Sequence, residues 1–168
     1  MTFKEVFQKI KSSEVFKNFI NENPNAELCA GFFVIDFFGN DNKKSLDYKV
    51  EERIFTFSID DFGKVRMNED KLVEEKGVKF PKLEKIEPGI NIDLDEIKSI
   101  TGIKALDEGI SSKFSKIIAV LQKHEGKSIW NLTCMLEGLI ILHVLIDAIN
   151  GDIIKFERKS MMDLIKKK

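Results

Sequence analysis

The segment from Glu27 to Asp36 constrains the fold more than any other. Leu28, Cys29, Phe32, Phe33, Val34 and Ile35 leave no polar side on either alternating face. A half-exposed strand would alternate apolar with polar, so this pattern predicts a central strand covered on both sides. The chain must therefore supply other strands beside it and helices to shield it.

Two helical stretches precede this strand. Phe3, Val6, Phe7 and Ile10 recur at helical spacing, and so do Val15, Phe16, Phe19 and Ile20. On one straight helix these sets would face roughly 160° apart. A break is therefore expected near Ser12 and Ser13, with a serine capping the second helix. Further strands are expected at Ser45 to Val50, at Arg53 to Asp60, and at Lys64 to Met67.

Residues 68–92 read as a linker, rich in Lys and Glu and carrying Pro81 and Pro88, with a short helix around Asp70 to Lys76. The domain reading is an N-terminal half at 1–67, the linker at 68–92 and a C-terminal half at 93–168, within one compact domain. Asp93 and Glu96 form an expected capping pair for a helix carrying Leu94, Ile97, Ile100 and Leu106. A second helix is expected through Phe114, Ile117, Ile118 and Leu121, ending at Gly126 with His124 at its C-terminus. A three-stranded meander then spans Ser128 to Leu136, Leu139 to Asp147 and Asp152 to Arg158, with Asn150 and Gly151 in a hairpin turn. Ser160 is expected to cap a last short helix.

The fold class predicted is α+β, with helices on a mostly antiparallel sheet of about six strands, arranged as two αβββ repeats. A short signature recurs in both halves. Asp36 precedes Gly39, Asp60 precedes Gly63, and Asp147 precedes Gly151. Internal duplication and shared turn chemistry both explain it, since a strand-ending Asp satisfies loop amides.

The stretch Ile129-Trp130, then Gly138, then Val144 through Ile154 resembles the end of a PepSY domain. In that family a strand with an aromatic residue leads to a hairpin with a pattern like Val-Asp-Ala-x-Thr-Gly-x-Val. Asn150 stands where the family usually has Thr. The resemblance implies a PepSY-like or cystatin-like fold and a binding or inhibitory role. The whole chain also resembles small uncharacterised archaeal proteins rich in Lys, Ile and Phe, a likeness that implies no activity.

The charges balance, with 27 basic and 28 acidic side chains. That argues against nucleic acid as a partner, because phosphate binders need a basic excess. Association with RNA or ribosomes through the Lys-rich linker and tail is the weakest alternative. Residues Met1 to Glu5 carry an early acid, no stretch of about 18 apolar residues occurs, and the two cysteines read as reduced thiols. The expectation is a cytoplasmic protein with no membrane contact. Fourteen Phe against one Trp and one Tyr point to rings used as core filler.

No catalytic constellation emerges. Cys29, Cys134, His124 and His143 fall into no metal-ligand spacing, and no cofactor fingerprint is present. Asp60 with Asp61 lacks the oxygen ladder of a calcium loop, and the Asp93, Asp95 and Glu96 group is explained by capping. His143 and Asp147 share a strand face but stand roughly 13 Å apart. With Tyr48 and Trp130 they are the candidate ligand-binding residues. The expected function is a non-catalytic binding or regulatory module that pairs with itself or another protein. The alternative is a small-ligand protein or enzyme with a cavity between sheet and helices.

Overall fold

The computed structural model describes residues 1–70 and 83–160. Within them the protein is α+β. Helix α1 (Phe3–Lys11) and helix α2 (Glu14–Glu22) lead into strands β1 (Glu27–Asp36), β2 (Lys43–Val50), β3 (Arg53–Ile59) and β4 (Val65–Asp70). Helix α3 (Leu94–Asp107) then leads into β5 (Phe114–His124), β6 (Lys127–Leu136), β7 (Ile140–Asp147) and β8 (Ile153–Ser160). All eight strands form one antiparallel sheet in the order β4-β3-β2-β1-β5-β6-β7-β8. The two halves meet at the centre, where β1 pairs with β5.

The helix break falls where two serines interrupt the apolar period. Ser12 ends α1, and the Ser13 hydroxyl accepts from the Phe16 amide at 3.2 Å to begin α2. Each helix then turns its own apolar face to the sheet. Phe3, Val6 and Ile10 of α1 are fully buried, as nearly are Phe16 and Phe19 of α2. The rings of Phe16 and Phe19 pack on Tyr48 and Phe57 with centroids 5.0 to 6.4 Å apart. Thr2 with Glu5, and Asp93 with Glu96, close capping boxes on α1 and α3.

The sheet is larger than the six strands expected, and the main reason lies at Phe114–His124. Ile117, Ile118 and Leu121 fit helical spacing, but the run Ile117-Ile118-Ala119-Val120-Leu121 is apolar at every position and rich in branched side chains. In the structure Ile117, Ala119 and Leu121 point to the helices, and Ile118 and Val120 point away. Gly126 accordingly ends no helix. With Glu125 it makes a two-residue hairpin turn at φ 51° and 79°. His124 therefore ends a strand, 3.8 Å from the Glu125 carboxylate. The short helices expected at Asp70 to Lys76 and after Ser160 lie outside the described residues, except that Asp70 and Ser160 themselves end strands.

The recurring aspartates serve the loops. Asp36 Oδ1 accepts from the Phe38 and Gly39 amides, Asp60 Oδ1 from Phe62 and Lys64, and Asp147 Oδ1 from Ile149 and Asn150, all at 2.8 to 3.2 Å. Those amides hold the carboxyls of Asp36 and Asp60 below the usual carboxylate range.

Candidate functional site

The four residues singled out from the sequence do not converge. Trp130 is fully buried on the helix side of β6, with its Nε1 donating to the Ile92 carbonyl at 2.7 Å. Its ring meets Phe3 and Phe33 edge-on at 6.4 and 5.8 Å. Tyr48 lies in the same core under α2, and burial pushes its phenol up to about 12. Asp147 is buried at the end of β7 as a loop acceptor. By strand alternation Asp147 shares the opposite face of the sheet with His143, and of the four only His143 is half-exposed.

His143 Nε2 lies 2.9 Å from Asn131 Oδ1 on the neighbouring strand. Partial burial, with help from Lys155 and Lys159, lowers the imidazole pKa against an opposing pull from Glu157. The imidazole is therefore neutral near pH 7. No group of three or more His, Cys, Asp or Glu side chains among the described residues is placed to hold a metal ion. Two shallow depressions, of about 420 and 630 Å³, lie against α3 and against α2, and neither is lined by His143.

What surrounds His143 is a surface. All three helices pack on one face of the sheet, and among the described residues no helix or strand covers the other. Among the described residues β1 has helices over one side only, against the expectation of cover on both, although Val34 on the other side is 7% exposed. Phe32 is 37% exposed and Met135 36%, and Ile118, Val120, Ile141 and Leu145 are half-buried around the His143–Asn131 pair. These side chains stand outside the main core cluster. The strands β5 to β7 carry apolar residues on this face where a solvated sheet would carry polar ones.

Three phenylalanines also depart from the core-filler expectation. Phe37, Phe38 and Phe62 sit in loops at 44%, 65% and 97% exposure. Sequence reading missed them because a Phe in a loop and a Phe in a strand contribute alike to composition. The Asp-to-Gly spacing that marks the loops was the available signal.

The two thiols are far from reactive. Cys29 is the extra residue of a bulge in β1, Cys134 lies in the main core on β6, and β5 runs between them. Burial raises both to about 12.

No protein-family model matches the chain, and no curated protein does. Among solved structures it is similar to the crystal structure of a putative lipoprotein from Clostridium difficile 630. The match has a TM-score of 0.57 at 12% identity and covers 87% of this chain and 91% of that one. At that identity the likeness is one of fold. No helix among the described residues is long and apolar enough to cross a membrane.

Proposed function

We propose that this protein is a non-catalytic binding module that uses the uncovered sheet face, centred on β5, β6 and β7, to hold a protein partner, with a second copy of the chain as the occupant. The observation that carries this reading is the apolar surround of His143 on a face that no described element shields. Leaving such side chains in water costs about 25 cal/mol per Å² of apolar surface, which a docked partner recovers.

Three features favour a second copy. The six strands from β2 to β8 in sheet order, at about 4.8 Å spacing and about 25 Å length, present roughly 700 Å² of sheet, near the ~800 Å² per partner of a standard interface. A sheet twisted in one sense packs on another of the same twist, and a copy has it by construction. The border carries both signs, Lys155, Glu157 and Lys159 on β8 with Asp47 and Lys49 on β2, so two copies need not repel. The stretch that resembles PepSY forms β6, β7 and the start of β8, and binding is what that resemblance implies.

The test is sedimentation equilibrium of the wild type against Ile118→Lys and Leu145→Lys. The expected result is a concentration-dependent dimer that either lysine abolishes while the circular dichroism spectrum is kept. A wild-type monomer at every concentration would overturn the reading.

A further inference from the structure

We infer that one end of the sheet docks on the surface of a lipid bilayer, inserting the apolar tips of three loops. This surface is separate from the sheet face proposed above, and it departs from the expectation of no membrane contact. The register places the three loops at the same end. They are the β1–β2 loop with Phe37 and Phe38, the β3–β4 loop with Phe62, and the β6–β7 loop with Leu139. Phe38, Phe62 and Leu139 are 65%, 97% and 56% exposed.

Strand order spaces the tips about 10 Å and about 14 Å apart, in the sequence Phe62, Phe38, Leu139. Their heights also step in one direction. Along the cross-strand row Lys43–Val34–Ile118–Thr133, β1 continues two residues to Asp36 and β6 three residues to Leu136. On β3, extending the register puts Asp60 opposite Lys43, so that strand ends one residue short of the row. The strand ends that carry the three loops therefore rise steadily from the β3 side of the sheet to the β6 side.

The shape favours lipid over protein. A folded partner would need three separate pockets at fixed spacing to receive single protruding side chains. A bilayer interface is deformable and apolar just below the headgroups, so it accepts all three without shaped cavities. Charges cancel around two of the loops, Asp36 and Asp41 against Lys43 and Lys44, and Asp60 and Asp61 against Lys64 and Arg66, while Glu137 leaves the β6–β7 loop with a single acid and no loop with a basic excess. Asp41 lies 3.8 Å from Lys43 and 3.2 Å from Lys116, and Asp60 lies 3.2 Å from Arg66. Attachment is therefore apolar and little affected by salt, unlike adsorption of a basic patch.

Flotation of the protein with phosphatidylcholine vesicles, with and without phosphatidylglycerol, tests this at low and high salt. The expected result is co-flotation with both vesicle types at both salt levels. Phe62→Ser and Phe38→Ser should each lower the partition coefficient about tenfold, the scale of withdrawing one exposed ring from an apolar phase. Both positions are loop tips, so an unchanged thermal melt verifies folding. Glu52→Gln, in the exposed β2–β3 turn at the opposite end of the sheet, should float like the wild type. Equal flotation of the serine variants, or flotation only at low salt with acidic lipid, would overturn the inference. So would an absence of vesicle binding with self-association lost in the serine variants, which would make this end a protein interface.

Discussion

The carboxylate of Asp93 accepts the backbone amide of Phe3 at 2.6 Å, across ninety positions of sequence. The same group accepts from Lys4 at 3.2 Å and from Leu94 at 2.6 Å, so one buried aspartate caps α1 as well as α3. Two positive helix ends converge on one negative charge. Asp93→Ala removes the acceptor from both and should cost about 2–4 kcal/mol in urea unfolding. Asp93→Asn keeps one oxygen acceptor and should cost less. Equal stability of Asp93→Ala and wild type would show that the shared cap carries no weight.

Trp130 ties the approach to α3 onto the sheet through its indole N–H and the Ile92 carbonyl. Trp130→Phe keeps most of the ring burial but orphans that carbonyl, and should lower stability by about 1–3 kcal/mol. In the wild type, emission from this sole tryptophan should be blue-shifted and resistant to iodide quenching. Red-shifted emission that iodide quenches readily would contradict its burial.

Both thiols should ignore a thiol reagent at pH 8. Their values of about 12 leave almost no thiolate, and both side chains are buried. Labelling should appear only with denaturant, at the rate of unfolding. Rapid labelling of Cys29 in the native protein would show that its bulge opens readily.

His143 makes stability depend on pH in a definite sense. Its folded pKa is lowered, first by partial burial and then by Lys155 and Lys159, while the unfolded value stays near the ordinary 6.5. The unfolded chain therefore takes up the proton first. The contribution is fully present above about pH 6.5 and fades as pH falls through the folded value. Urea melts from pH 8 to 5 should show this slope, and His143→Gln should flatten it. A His143→Gln profile as steep as wild type would place the slope elsewhere.

Much of the fold was legible because local chemistry and global packing agree. The serine break, the Asp93 cap and the Asp-to-Gly loops each rest on a residue whose side chain bonds its own neighbourhood. The strand at Phe114–His124 was not legible, since an unbroken apolar run fits either period and only pairing with β1 and β6 decides. The candidate site was legible in part. Alternation put His143 apart from Leu142 and Val144, but no spacing rule reveals that Trp130 lies under α1 or that Asn131 stands beside the imidazole. Those contacts depend on strand order, which local sequence does not encode.

The seam between β1 and β5 has a kinetic meaning. Every other neighbouring pair in the sheet joins consecutive strands, whereas Asp36 meets Lys116 and Gly31 meets Leu121. Hairpins on either side can zip in microseconds, but this closure spans about half of the chain and carries a larger loop-entropy penalty. Refolding should therefore wait on a single late encounter between two half-assembled sheets, and substitutions at Phe33 or Ala119 should slow it more than substitutions in the outer strands.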